Sequence, residues 1–124
     1  MSKGTSVIII VVALVLLVLG LWYFSAAVPS PYANLPQFAS CIANSKATMY
    51  GAYWCPHCQN EKARFGTSFK FVPYVECTQE VAKCTAANVT VYPTWIFGDG
   101  HRVEGDLPLE QLAKETGCSL EPSK

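Results

Sequence analysis

An apolar run near the N-terminus places the strictest limit on how this 124-residue chain can fold. Residues 7–24 contain no charge and no proline, are mostly Val, Ile and Leu, and end in Trp22-Tyr23-Phe24. A helix of that length is about 27 Å long, close to the thickness of the hydrocarbon core of a bilayer. Trp and Tyr anchor such helices at the membrane interface. The run therefore predicts a transmembrane anchor.

The charges around this run predict its orientation. Lys3 is the only charge before it, and the next basic residue downstream is Lys46. The positive-inside rule then makes residues 1–6 a short cytoplasmic N-terminus and places the rest of the chain on the extracytoplasmic side, periplasmic or extracellular. A cleaved signal peptide is the alternative, because Ser25-Ala26-Ala27 offers small residues at a cleavage site, although the apolar run is longer than a usual signal-peptide core. Both interpretations export the domain.

The remainder divides into a short linker and one small domain. Residues 25–34 are rich in Pro, Ala and Ser and lack an apolar period, which predicts a semi-extended spacer. Residues 35–120 suffice for one core, at a size where disulfides begin to matter. The net charge is zero and the charges are scattered, which argues against a nucleic-acid partner. Six cysteines, an even count, are typical of an oxidising compartment: Cys41, Cys55, Cys58, Cys77, Cys84 and Cys118.

The apolar pattern of this domain predicts alternating strands and helices. Because the first two strands are joined by a crossover and the last two by a tight turn at Gly98-Asp99-Gly100, the order implies a mixed sheet with helices on both faces. The predicted helices cover 35–45, 56–65, 79–87 and 108–117, and the predicted strands cover 47–53, 71–76, 91–97 and 101–104.

A Cys-Pro-His-Cys motif lies where the first strand passes into the second helix. Pro56 suits the first helical turn, where its missing N–H costs nothing. Cys55 would lie at the positive end of the helix dipole among unpaired N–H groups, which favours an exposed, reactive thiolate. Cys58, one turn further in, would be shielded. A protonated or hydrogen-bonding His57 would stabilise the thiolate further and make the pair comparatively oxidising.

Half of a zinc site is the alternative interpretation of two cysteines at this spacing. Cys77 and Cys84 are seven positions apart and do not form a second such motif. The aromatic run before Cys55 also favours a buried strand over a zinc knuckle. We therefore predict thiol-disulfide exchange with no metal and no cofactor.

The same residues resemble those of a known family. Trp54-Cys55-Pro56-His57-Cys58, followed by Tyr92-Pro93-Thr94, resembles the thioredoxin superfamily. The wider set is similar to the thioredoxin-like domain associated with bacterial vitamin K epoxide reductase homologues, over about residues 35–118. This resemblance implies a thioredoxin-like α/β fold, with a mixed four-stranded sheet and flanking helices, preceded here by one transmembrane helix. The wider set comprises Met49 to Gln59, Val75-Glu76-Cys77, Tyr92-Pro93-Thr94-Trp95 and Leu112-Ala113.

The resemblance also implies a function. Oxidising equivalents would pass from a quinone-linked membrane enzyme, which one spanning helix cannot itself supply, through this domain to the thiols of exported proteins. Cys55 would attack or receive the disulfide and Cys58 would resolve it. Pro93 would be a cis-proline facing the cysteines, and Trp54, Tyr92 and Thr94 would bind substrate.

One position departs from the family. Where thioredoxins often hold a buried carboxylate that helps to deprotonate the second cysteine, this chain has Met49. The proton acceptor for Cys58 is therefore left open, with Glu61 or water as candidates.

The four remaining cysteines allow three pairings. Cys77 with Cys84 is favoured, because a strand end and the helix after it can be joined across a short loop. Cys41 with Cys118 would then tie the first helix to the last. In the alternative, Cys77 and Cys84 relay electrons.

Two other functions remain open for the chain as a whole. An outward-facing disulfide reductase would have the same fold and a lower redox potential. A non-catalytic tethered module would use all six cysteines as structural staples.

Overall fold

The computed structural model describes residues 2–24 and 29–124. Helix α1 (Lys3–Phe24) contains the predicted apolar run, and all of its side chains are exposed. By length and composition it is able to cross a membrane. Met1, the possible cleavage site Ser25-Ala26-Ala27 and the first part of the predicted linker lie outside the described residues.

The rest of the chain alternates helices and strands in the predicted order. A 3-10 helix (Gly66–Phe71) follows the third helix directly. The elements are α2 (Leu35–Asn44), β1 (Thr48–Gly51), α3 (Pro56–Phe65), β2 (Tyr74–Glu76), α4 (Val81–Ala86), β3 (Thr94–Ile96), β4 (Arg102–Glu104) and α5 (Leu109–Thr116).

Four strands form one mixed sheet in the order β2-β1-β3-β4, which confirms the predicted architecture. β1 is parallel to β2 and antiparallel to β3, and β4 returns antiparallel beside β3. In the central pairs Met49 lies between Tyr74 on one side and Trp95 on the other. Its side chain is completely buried.

The strands are shorter than predicted, for two local reasons. The first part of the predicted strand 71–76 belongs to the 3-10 helix, so β2 begins only at Tyr74. The predicted strand 91–97 begins only after Pro93, which cannot donate to a sheet ladder because it lacks an N–H.

Residues 29–34, assigned to the linker, lie against the end of the domain. Tyr32 forms a bridge with Pro122, and the Ala33 N–H donates to the Glu121 carbonyl oxygen at 2.9 Å. The Asn34 side chain donates to the Ser119 carbonyl oxygen at 3.0 Å. This part of the chain therefore contacts the C-terminal end of the domain.

Two disulfides tie the fold together, and both are the pairings that the sequence favoured. Cys41 in α2 is joined to Cys118 beyond α5, with the Cα atoms 5.9 Å apart. Cys77 after β2 is joined to Cys84 in α4, with the Cα atoms 5.7 Å apart. Cys55 and Cys58 remain free thiols. The largest fully buried side chains of the core include Phe38, Ile42, Met49, Phe65, Trp95 and Leu112.

Candidate active site

The sheet topology brings Cys55 and Pro93 to the same edge. β1 leads into the Cys-Pro-His-Cys motif, and the loop that precedes β3 contains Pro93. Because β1 and β3 are antiparallel, the end of one and the start of the other lie side by side, with Tyr50 paired to Thr94. The Tyr92–Pro93 peptide bond is cis, as the resemblance implied. The Cys55 thiol donates to the Tyr92 carbonyl oxygen at 3.6 Å.

Cys55 is the N-cap residue of α3. The Cys58 N–H donates to the Cys55 sulfur at 3.2 Å, and Pro56 occupies the first helical position. Unpaired N–H groups at a helix start stabilise negative charge, so this geometry suits a thiolate. Cys55 is only 4% exposed, however. The expectation of an exposed thiol was wrong, because the Tyr92 loop and the first turn of α3 enclose the sulfur on two sides.

Cys58 is completely buried and lies against Gly51. A Cβ atom at position 51 would be 2.9 Å from the Cys58 sulfur, so only glycine leaves room for it. Burial, followed by the interaction with Cys55, raises the pKa of Cys58 to about 12. Cys58 is therefore a neutral thiol at physiological pH, and it must lose a proton before it can attack a disulfide.

His57 is held on the outside of the motif. Its Nδ1 atom lies 3.3 Å from Asp106 Oδ1, and its side chain is mostly exposed. Asp106 Oδ2 accepts a hydrogen bond from Arg64 at 2.9 Å. The structure thus places the imidazole beside Asp106, and no hydrogen bond to the Cys55 sulfur is found for it in the described part of the chain.

Glu61 is a buried carboxyl on α3. Its Oε2 atom accepts from the Leu107 N–H at 2.7 Å and from Arg64 at 3.0 Å. Its Oε1 atom has no hydrogen-bond partner within the residues that the structure describes. Burial outweighs these hydrogen bonds and raises the pKa of Glu61 to about 7. Glu61, Arg64, Asp106 and His57 form one polar network on this side of α3.

Exposed aromatic residues surround the motif on the other side. Tyr53 is 66% and Trp54 57% exposed, and the Trp54 ring meets the edge of Tyr92 with centroids 6.1 Å apart. Thr94, which was predicted to bind substrate, is buried, and its Oγ1 donates to the Val91 carbonyl oxygen at 2.7 Å. Thr94 therefore shapes the loop, while Trp54 and Tyr92 form the surface beside Cys55.

Both backbone polar groups of Tyr53, two residues before Cys55, are hydrogen-bonded to side chains. The Tyr53 N–H donates to Glu76 Oε1 at 3.2 Å, and the Tyr53 carbonyl oxygen accepts from the Gln59 side chain at 2.9 Å. Glu76 comes from the end of β2 and Gln59 from α3. These contacts fix the approach of the chain to Cys55.

Comparison with solved structures identifies the fold. The crystal structure of chloroplastic thioredoxin z matches with a TM-score of 0.50 and 19% sequence identity, covering 65% of this chain and 85% of that one. This chain has the thioredoxin fold. Thioredoxin NaTrxh from Nicotiana alata also matches, with a TM-score of 0.39 and 20% identity, covering 73% of this chain and 93% of that one.

A protein relative matches this chain at the level of sequence. The thiol-disulfide oxidoreductase LTO1 of Arabidopsis thaliana is 38% identical over a match of 101 residues, and the match covers 74% of this chain. The match covers 26% of LTO1, so this chain spans about a quarter of that protein's length. No family model matches the chain.

Sequence reasoning missed several polar residues of the thioredoxin-like domain. Glu76 could have been found, because β2 is parallel to β1 and its end must lie at the same edge as Cys55. Arg64 was also missed, although it lies three residues after the candidate Glu61, which is the spacing of neighbours on a helix and was a visible signal. Asp106 gave no signal, since it reaches the site from a distant loop.

Proposed function

We propose that the chain is a membrane-anchored, extracytoplasmic thiol-disulfide oxidoreductase that passes disulfides to exported proteins. One observation carries this proposal: a free thiol at the start of α3, Cys55, faces the Tyr92 carbonyl beside a cis-proline. The second free thiol, Cys58, follows one turn later in the same helix. The other four cysteines are closed in two disulfides, which leaves this pair for exchange.

The reaction is a two-electron exchange. A substrate thiolate attacks the Cys55 sulfur of the Cys55–Cys58 disulfide, and Cys58 leaves as a thiolate and takes up a proton. A second substrate thiolate then attacks the substrate sulfur of the mixed disulfide and releases Cys55. The substrate is oxidised to a disulfide and the domain is reduced to a dithiol. The helix start favours this last step, because it stabilises Cys55 as a leaving thiolate.

The substrate is an extended, cysteine-containing segment of an exported protein. Tyr53, Trp54 and Val91 are large apolar side chains exposed beside the buried Cys55 sulfur. Exposed apolar surface around a reactive group is typical of a binding site for unfolded or extended peptide. We propose that the segment lies along residues 91–92, with its cysteine sulfur directed at Cys55.

The oxidising equivalents come from a separate, quinone-linked membrane enzyme that resembles vitamin K epoxide reductase. Two features support this proposal. The motif set of residues 35–118 is similar to domains associated with such enzymes, and α1 would hold the domain at the membrane surface beside a partner in the bilayer. In this arrangement the thioredoxin-like domain comprises residues 35–120, and residues 1–6 of the chain lie in the cytoplasm.

The redox potential of the Cys55–Cys58 pair tests the direction of exchange. The full-length protein in detergent is equilibrated with glutathione buffers, and the fraction of reduced pair is measured by mass after alkylation. We expect a value near that of protein disulfide isomerase, about −180 mV. A value at or below that of thioredoxin, about −270 mV, would reject the oxidase and favour the outward-facing reductase. A variant with both residues replaced by Ser is the control for background alkylation.

A further inference from the structure

The side chains of Tyr74 and Cys58 both lie against Gly51. An ideal Cβ atom built on Gly51 would be 2.9 Å from the Cys58 sulfur and 3.3 Å from the Tyr74 hydroxyl oxygen. The sulfur and the phenol oxygen therefore face the same small gap, which exists because residue 51 has no side chain. Met49, the partner of Tyr74 in the neighbouring strand, offers no proton acceptor.

Tyr74 is connected to a carboxylate that reaches the surface. Its hydroxyl donates to Glu76 Oε2 at 2.7 Å. The other oxygen, Oε1, accepts from the Thr78 hydroxyl at 2.8 Å and from the Tyr53 N–H at 3.2 Å. Although partial burial opposes the effect, the hydrogen bonds from Tyr74 and Thr78 lower the pKa of Glu76 below its ordinary value. Glu76 is therefore ionised and half-buried, in a position to exchange protons with water.

Lys62 completes the charged surroundings of this gap. It follows Cys58 by one helical turn, and its ammonium group lies 3.9 Å from the centroid of the Tyr74 ring. Its positive charge favours the thiolate of Cys58. The titratable groups that act on Cys58 and Tyr74 are thus Cys55 and Lys62 on the side of α3 and Glu76 on β2.

We propose that Tyr74, hydrogen-bonded to Glu76, is the group that removes the proton from Cys58 and returns it during disulfide exchange. This inference rests on the proposed function. When Cys58 resolves a mixed disulfide, the Cys58 proton passes to the Tyr74 oxygen while the Tyr74 hydroxyl proton passes to Glu76 Oε2, and from there to water. The Cys58 thiolate attacks the Cys55 sulfur, the bond from Cys55 to the substrate breaks, and the substrate leaves as a thiolate. Disulfide donation reverses the same path.

Glu61, the candidate that the sequence offered, is oriented by other contacts. One of its oxygens is bound by Leu107 and Arg64, which belong to the loop before α5 and to α3. In the described part of the chain no hydrogen bond to Cys58 is found for either Glu61 or Tyr74, but the Tyr74 hydroxyl and the Cys58 sulfur both lie against Gly51. The second oxygen of Glu61 is unpartnered in that part of the chain, so Glu61 remains the competing acceptor that an experiment must separate from Tyr74.

Attack by Cys55 and resolution by Cys58 can be measured separately with a symmetric aromatic disulfide as the substrate. Each step releases one aromatic thiolate, which absorbs visible light. Full-length protein in detergent, with only Cys55 and Cys58 reduced, releases the first thiolate when Cys55 attacks. It releases the second when Cys58 resolves, in a phase whose rate does not depend on reagent concentration. Tyr74→Phe keeps the ring beneath Lys62 and removes the hydroxyl. Tyr50→Phe makes the same change on β1, where the ring packs near the Cys77–Cys84 disulfide.

We expect Tyr74→Phe to slow the second phase by about tenfold or more at neutral pH and to leave the first phase unchanged. The deficit should shrink as the pH rises, because hydroxide then deprotonates Cys58 directly, a dependence that a purely structural defect would not produce. Tyr50→Phe and Glu61→Gln should leave both phases unchanged. A normal second phase in Tyr74→Phe, or a slow one in Glu61→Gln alone, would overturn the inference while the proposed function stands. No first phase in the unmodified protein would overturn both.

Discussion

The Cys55 sulfur and the Tyr92 carbonyl oxygen lie 3.6 Å apart, although 37 residues separate them in the sequence. This contact exists because two antiparallel strands end and begin at the same edge of the sheet. It buries the thiol and directs it at the backbone of the loop that precedes β3.

Trp54 should be needed for protein substrates and not for small ones. We expect Trp54→Ala to lower kcat/KM for a reduced, unfolded protein by about tenfold, because a large exposed aromatic contact is lost. The rate with a small aromatic disulfide should stay within about twofold. Val81→Ala removes an exposed apolar side chain from α4, away from the motif, and is the matched control. Equal losses on both substrates would show that Trp54 supports Cys55 rather than the peptide.

Gly51 should be intolerant of a side chain because of Cys58. In Gly51→Ala the new Cβ atom would meet the Cys58 sulfur at 2.9 Å and the Tyr74 ring at 3.2 Å. We expect a loss of about 1–3 kcal/mol in the free energy of unfolding, measured with urea. In a Cys58→Ala background the same change should cost clearly less, since the sulfur is gone. Identical costs in both backgrounds would mean that the strain arises elsewhere.

Glu61 should make stability depend on pH. Its pKa is about 7 in the folded protein and has an ordinary value of 4.5, so only the folded state keeps the proton between these values. The contribution of Glu61 to stability is therefore fully present below about pH 4.5 and is lost as the pH rises through about 7. Relative to Glu61→Gln, the unmodified protein should lose about 1–3 kcal/mol between about pH 4.5 and 8.

Urea unfolding of the unmodified protein and of Glu61→Gln at both pH values measures this loss of unfolding free energy. Other groups titrate equally in the two proteins, so their effects cancel in the comparison. If the difference in unfolding free energy between the two proteins stays constant over this pH range, Glu61 does not keep its proton in the folded state.

The two disulfides should differ in their contribution to stability. Cys41 and Cys118 are 77 residues apart, whereas Cys77 and Cys84 are 7 apart. Loop-closure entropy predicts about 4 kcal/mol for the long loop and about 2 kcal/mol for the short one. Paired replacement by Ala, followed by urea unfolding, measures both. If Cys77 and Cys84 are structural, their replacement should also leave disulfide transfer unchanged, and a loss of transfer in a folded variant would support the electron relay.

Several features that the sequence predicted correctly are set by near neighbours. Pro56 starts α3, Gly98-Asp99-Gly100 turns the final hairpin, and the short Cys77–Cys84 loop closes as expected. In each case the physical cause lies within a few residues of its effect, so the pattern is visible in the chain itself.

The features that the sequence did not predict depend on distant segments. Cys55 is buried because the Tyr92 loop folds over it, and His57 turns outward because Asp106 is there to receive it. The space shared by Cys58 and Tyr74 depends on the register of β1 against β2. The sequence alone therefore does not show which charged or aromatic side chain lies beside which sulfur, because this depends on the register of β1 against β2.

Trapping of the mixed disulfide shows which of the two sulfurs, Cys55 or Cys58, reacts with a substrate protein. In the full-length Cys58→Ala protein, Cys55 is first converted to a mixed disulfide with a small thiol. The protein is then mixed with a reduced, unfolded protein, and mass spectrometry identifies the cysteines joined in the covalent products. The Cys55→Ala protein, with Cys58 converted in the same way, is the control. We expect protein-protein disulfides through Cys55 and almost none through Cys58, which is completely buried. Intermediates that form equally through Cys58, or none through Cys55, would contradict this expectation.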